Sequence, residues 1–155
     1  MPAFLNRIGV FLVLAALMGC EGPPSSGGNA VRNKPGPVDP DAPEEFTTTA
    51  SGLKYRIRRK SDGKRPTVDN TVKVHYVGWF DGGRAFDGSY KRGEPVKFPL
   101  RSVIPGWTEG LQLIGEGGMI ELEVPYELGY GEKGQLPTIP PKATLHFLIE
   151  LFQVK

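Results

Sequence analysis

Val103-Ile104-Pro105-Gly106-Trp107-Thr108-Glu109-Gly110-Leu111-Gln112-Leu113-Ile114 is the stretch around which the rest of the chain is organised. Apolar residues at 104, 107, 111 and 114 recur in steps of three and four, which places them on one face of a short helix. Pro105 suits the first helical turn, where its missing N–H is not needed. Gly115 follows the last periodic residue and is expected to stop the helix. The periodic face carries the indole of Trp107 into whatever the helix packs on. Core filling accounts for an isolated tryptophan; the flanking segments point further.

Outward from this helix the periodicity changes from helical to alternating. Leu53, Tyr55 and Ile57 alternate with Lys54, Arg56 and Arg58, as in a half-buried strand. Val72, Val74 and Tyr76 share one face of a second strand, and Asp81-Gly82-Gly83 signals a turn. Val96-Lys97-Phe98 forms a short strand before the helix. Ile120, Leu122 and Val124 alternate with Glu121 and Glu123, and Leu145, Phe147, Ile149 and Leu151 make the last apolar face. Several period-two strands and one helix predict an α+β domain, an antiparallel sheet wrapped on a short helix. Residues 47–155 suffice for one core without metal or disulfide staples.

Five segments, in order, resemble the FKBP-type peptidyl-prolyl isomerases. They are Val72-Lys73-Val74-His75-Tyr76-Val77-Gly78, Ala85-Phe86-Asp87-Gly88-Ser89, the Trp107 helix, Tyr130-Gly131, and Ile139-Pro140-Pro141-Lys142-Ala143-Thr144-Leu145. Any one of them is weak evidence; the ordered set within a single small domain is specific. The resemblance covers residues 47–155 and implies a curved antiparallel sheet whose concave face holds the helix and a ligand pocket. It also implies a role for each matching position. Trp107 is the floor of a proline pocket, with Tyr76, Phe86, Phe98, Val103, Ile104, Ile139 and Phe147 as walls. The Ile104 backbone N–H binds the substrate carbonyl, and the Tyr130 hydroxyl bonds the substrate or ligand. Asp87 sits at the rim, held by Tyr76 and Arg92, facing the rotating carbonyl. Macrolides such as tacrolimus or rapamycin are the implied inhibitors. Plain core packing is the alternative for Phe98 and Phe147, and a turn aspartate before Gly88 is the alternative for Asp87. Val96 departs from the pattern where many relatives carry an aromatic residue, and Gln135 replaces a loop histidine.

The residues suit a reaction in which no bond is made or broken. Rotation about a peptide bond faces a barrier of about 18–20 kcal/mol because the planar amide is resonance-stabilised. At Xaa-Pro bonds both isomers are populated and exchange slowly. The twisted transition state loses the charge separation of the planar amide. A dry apolar pocket therefore disfavours the planar form relative to the twisted one, with no proton transfer. His75 and His146 lack carboxylate or cysteine company at ligand spacing, so they are expected to be surface or satisfied residues and no metal is called for. The glycines at 115–118 lack the lysine and Ser/Thr of a phosphate loop. No cofactor is implied. Two other readings stay open beside the enzyme: a module that grips proline-containing partners without catalysis, and a lipoprotein whose domain merely folds.

The first twenty residues are of another kind. Arg7 precedes an apolar run from Ile8 to Met18, the length of a signal-peptide core and short of the about 20 residues a membrane span needs. Leu17-Met18-Gly19-Cys20 resembles a bacterial lipobox, so residues 1–19 are expected to be a lipoprotein signal peptide and Cys20 the lipidated residue. As the only cysteine, Cys20 has no intramolecular disulfide partner. Pro23, Pro24, Pro35, Pro37, Pro40 and Pro43, with glycine and serine between them, predict a disordered tether over residues 20–46. The expected protein is lipid-anchored in the cell envelope, periplasmic or at the outer membrane if the source has one. It acts on exported proline-containing polypeptides and, lacking a long N-terminal helix, is a monomer. A net charge of +2 with no basic stripe gives no sign of nucleic-acid binding.

Overall fold

The computed structural model describes residues 32–155. The expected signal peptide, Cys20 and the first part of the expected tether lie outside the described residues. Among the described residues no helix is long and apolar enough to cross a membrane.

The strands in chain order are β1 (Thr47–Thr48), β2 (Lys54–Arg59), β3 (Thr71–Phe80), β4 (Ala85–Gly88), β5 (Val96–Pro99), β6 (Met119–Val124) and β7 (Leu145–Val154), with the helix α1 (Pro105–Leu111) between β5 and β6. They form one antiparallel sheet in the order β1-β2-β6-β7-β3-β4, with β5 also pairing β3. The predicted α+β architecture is what the chain adopts, an open curved sheet with one helix. The ten-residue β3 and β7 pair along their whole length, from Val72↔Val154 to Phe80↔Leu145.

Alternation sorts the sheet into two faces. Val72, Val74 and Tyr76 on β3, Ile120, Leu122 and Val124 on β6, and Leu145, Phe147, Ile149 and Leu151 on β7 turn toward α1 and make one core with Trp107, Leu111 and Ile114. Gly106 and Gly110 let the helix approach β6 closely. A Cβ at Gly106 would stand 2.6 Å from Val124, and one at Gly110 2.7 Å from Leu122.

The helix is shorter than its periodicity predicts. It ends at Leu111, because the Gln112 N–H turns back to the Glu109 carbonyl and the Leu113 N–H to the Gly110 carbonyl, and the last turn tightens. Gly115 therefore does not serve as the stop. Its backbone lies against Gly63, where a Cβ would come within 2.2 Å of the Gly63 carbonyl oxygen. Two short strands, β1 and β4, carry too few residues to show an alternating pattern.

Residues 32–46, which composition assigns to the tether, make specific contacts. The Asp39 N–H bonds the Arg58 carbonyl at 2.8 Å, the Lys60 N–H bonds Asp39 Oδ2 at 2.7 Å, and Lys60 pairs with Asp41 at 2.7 Å. Arg58 donates to the Pro43 carbonyl at 2.9 Å, and the Arg56 guanidinium lies 4.6 Å from the Phe46 ring centre. A proline-rich stretch with few apolar residues still orders here, because β2 offers a row of arginines to its carbonyls and carboxylates.

Candidate functional site

Trp107 lies in the first turn of α1 and is 4% exposed. Three rings stand edge-on around its indole: Tyr76 at 5.1 Å, Phe147 at 5.2 Å and Phe98 at 5.7 Å, with interplanar angles of 82°, 86° and 89°. Perpendicular ring pairs of this kind are a favourable arrangement, because they set a positive ring edge against a negative ring face. Phe86 continues the wall, 5.7 Å from Phe147 and 4.8 Å from Phe80. Gly78 makes this possible. A Cβ there would lie 2.7 Å from Phe86 and 2.8 Å from Phe147, so only glycine lets both rings close over β3.

The rim is polar. Asp87, on β4, accepts a hydrogen bond from the Tyr76 hydroxyl at Oδ2 and one from the Gly88 N–H at Oδ1, 2.7 Å away. Arg92 reaches the same Oδ1 at 3.3 Å. Burial pushes the Asp87 carboxyl upward. The bonds from Tyr76, Gly88 and Arg92 together outweigh that and hold it below its ordinary value. Burial raises Tyr76 first and its bond to Asp87 second, so its hydroxyl is pushed up to about 12. Tyr130 is raised too, by burial and then by the charge of Asp87. Both phenols keep their protons at neutral pH, and the carboxylate keeps its charge.

Beyond the rim opens a cavity of about 440 Å³ lined by Phe86, Asp87, Tyr130, Gln135, Leu136, Thr138 and Ile139. That volume is within the range of small-molecule and peptide side-chain sites. Ile139 is buried, whereas Leu136 is 71% exposed at the mouth. Ile104 caps α1, its carbonyl accepting from the N–H groups of Trp107 and Thr108. Val103 and Ile104 are half-buried against the aromatic cluster. Val96 pairs with Val74 and packs against the same core.

Of the residues marked in the sequence, Phe86, Asp87, Tyr130 and Ile139 line this cavity. Tyr76, Phe98, Trp107 and Phe147 form the ring cluster that meets it through Phe86 and Asp87, Val103 and Ile104 pack on the core, and Arg92 stands at Asp87. Leu136 and Thr138 were not singled out from the sequence. They sit in a loop without periodicity, and only their place beside the marked Ile139 could have flagged them. His75 is not at this site. It is 1% exposed on the opposite face of β3, with Nδ1 2.8 Å from Ser89 Oγ and its ring stacked on Tyr90. His146 is also remote from the indole and pairs with Asp81 at 2.7 Å.

Comparison with known proteins supplies the family. The sequence profile of the FKBP-type peptidyl-prolyl cis-trans isomerases matches residues 63–152. The chain is 49% identical over 108 residues to the FKBP-type peptidyl-prolyl cis-trans isomerase FkpA of Escherichia coli, covering 70% of this chain and 40% of that protein. It is 44% identical over 111 residues to the FKBP-type 22 kDa peptidyl-prolyl cis-trans isomerase of the same organism, covering 72% of this chain and 54% of that one. The chain thus spans about half the length of the curated relatives it matches. Among solved structures, FkpA from Escherichia coli superposes with a TM-score of 0.70 at 47% identity, over 73% of this chain and 53% of that one. A peptidyl-prolyl cis-trans isomerase from Pseudomonas syringae superposes with a TM-score of 0.68 at 34% identity, over 73% and 83%. With its ordered segments and its antiparallel sheet on a single helix, the chain belongs to the FKBP-type peptidyl-prolyl cis-trans isomerase family.

Proposed function

We propose that the protein catalyses cis-trans isomerisation of Xaa-Pro bonds in exported polypeptides and so assists their folding. The observation that carries this is the ring cluster in which Tyr76, Phe98 and Phe147 stand perpendicular to the Trp107 indole, joined through the Tyr76 hydroxyl to Asp87 at the edge of the cavity. A proline ring seats flat on the indole. Ile104 offers its backbone N–H to the carbonyl that follows the proline, and the Tyr130 hydroxyl bonds the same stretch of substrate. Phe86, Phe147 and Asp87 face the carbonyl that rotates.

The chemistry needs no acid or base. Twisting the amide removes its charge separation, and a pocket walled by rings stabilises the less polar twisted form relative to the planar one. Asp87 stays ionised because Tyr76 and Arg92 hold it. Its negative charge repels the carbonyl oxygen of the planar bond and relaxes as that oxygen loses charge.

Lipidation at Cys20, anchorage in the cell envelope and a monomeric catalytic domain belong to the same proposal. They rest on the Leu17-Met18-Gly19-Cys20 pattern and the proline-rich composition after it. Tacrolimus and rapamycin are the proposed inhibitors, seated on Trp107.

Exchange NMR of an Ala-Leu-Pro-Phe peptide, with and without the protein, tests the proposal. Faster cis-trans exchange that rapamycin abolishes supports it. No acceleration from the folded protein, with the peptide still bound, makes this a proline-gripping module instead.

A further inference from the structure

The face of the sheet away from Trp107 also carries buried residues. Arg59 on β2 pairs in register with Met119 on β6, Met119 with Glu150 on β7, and Glu150 with His75 on β3. Directly opposed residues in antiparallel strands point to the same side, so these four form one row across the outer face. An outer face left to solvent would expose them. Yet Met119 and Glu150 are fully buried and His75 is 1% exposed. Tyr90 and Phe152 flank His75, and part of the remaining cover comes from the stretch that begins at residue 32.

That cover is held at one carboxylate. Glu150 Oε1 accepts the Gly36 N–H at 2.7 Å and faces Arg59 Nη1 at 3.3 Å. Arg32 Nη1 stands 3.7 Å from Oε2, and its guanidinium lies 5.6 Å from the Phe152 ring centre. Arg59 Nη1 also donates to the Pro37 carbonyl at 3.0 Å, so one arginine grips both latch and cover. Downstream, Asp39 and Asp41 fasten the chain to Arg58 and Lys60. A buried carboxylate is stable only when paired and hydrogen-bonded. Here the backbone N–H at residue 36 supplies part of that pairing, so the sheet and the segment each need the other.

We infer that residues 32–43 are a strap latched at Glu150, which holds the upstream chain on the back of the sheet and leaves the Trp107 pocket facing away from it. Coupled with the proposed anchor at Cys20, the strap leaves eleven residues, 21–31, between anchor and domain, a span of at most about 40 Å. The pocket then opens away from the bilayer, toward arriving polypeptides. That second consequence rests on the anchor reading; the latch does not.

The test uses the full chain carrying Cys20→Ala and Asn33→Cys, with a nitroxide at residue 33. Amide signals of His75 and Phe152 are expected to broaden strongly, with the effect falling off toward Tyr130 and Leu136. Adding Glu150→Gln should reduce the broadening at Phe152 at least twofold, with prolyl isomerase activity unchanged. Gly36→Ala is the second variant, because its methyl would come within 2.8 Å of Glu150 Oε1 while leaving the sheet intact. It should reduce the same signal. Broadening that is equal at Phe152 and Leu136 in the parent chain overturns the strap. Broadening at Phe152 that neither variant changes overturns the latch. Neither readout depends on catalysis, so a failure of the isomerase proposal would show separately, in the peptide exchange.

Discussion

The Tyr76 hydroxyl donates to Oδ2 of Asp87 across the β3–β4 pair, and this one contact ties the aromatic cluster to the carboxylate at the cavity's edge. Tyr76 also stands perpendicular to Trp107, so a single side chain touches both the indole and the carboxylate.

Tyr76→Phe removes the hydroxyl and keeps the ring. It is expected to cost about 1.5 kcal/mol, the low end for a hydrogen bond to a charged group because Asp87 is exposed, and to move the Asp87 titration upward. Asp87 ionises at lower pH in the folded chain than in the unfolded one. Its contribution to stability is therefore complete above the ordinary value of 3.8 and is lost as pH falls through the lower folded value. Carboxyl carbon NMR between pH 2 and 6 measures the shift; an unmoved Asp87 would mean that Tyr76 does not hold it.

Asp87→Val should lower isomerisation with the fold intact, since the side chain is exposed at the rim and its loss leaves no buried cavity. Peptide exchange rates alongside circular dichroism check this. Unchanged activity would remove Asp87 from the mechanism.

Gly78→Ala is expected to push Phe86 and Phe147 off their positions, because the new methyl would lie 2.7–2.8 Å from both rings. Overpacking of this kind costs about 1–3 kcal/mol, and activity should fall with it. Gly82→Ala, with nothing within 4 Å, is the matched control. Urea midpoints of the two variants should separate clearly.

Trp107→Ala should destabilise the domain by about 3–5 kcal/mol, as for a buried aromatic. Trp107→Phe retains part of the packing and separates fold from function. It should stay folded but bind rapamycin at least tenfold more weakly, as read by calorimetry.

His75 gives a pH dependence of the same sign as Asp87's, at higher pH. Burial, the largest influence, lowers it from 6.5; the charge of Glu150 opposes this, while Arg32 and Lys73 add to it. Ser89 and Tyr90 complete its surroundings. The unfolded chain takes up the proton first on acidification, so stability should fall as pH drops below 6.5. His75→Gln should flatten the slope of the urea midpoint between pH 7.5 and 5.

Much of this was legible in the order of residues. The spacing of Ile104, Trp107 and Leu111 located the helix, and the alternation through Val72–Tyr76, Met119–Val124 and Leu145–Leu151 located the strands that pack on it. Those patterns are local, because each element buries one face and that face repeats along the chain. Side chains that meet across the sheet leave no such repeat. The helix stopped early because backbone carbonyls at 109 and 110 captured the N–H groups of Gln112 and Leu113. Gly115 proved to be a contact with Gly63, and Gly78 a space for two rings. His75 and Glu150 look like outward strand positions in the sequence. They are buried partly because residues 32–43 return across them, and those residues order because β2 presents Arg56, Arg58 and Arg59 to carbonyls and carboxylates that carry no pattern of their own. The amino-acid sequence by itself determined which faces are apolar and which elements pack on the Trp107 helix. Only the tertiary structure decided what covers the other face, because pairing between distant polar groups depends on where the chain brings them rather than on how they are spaced.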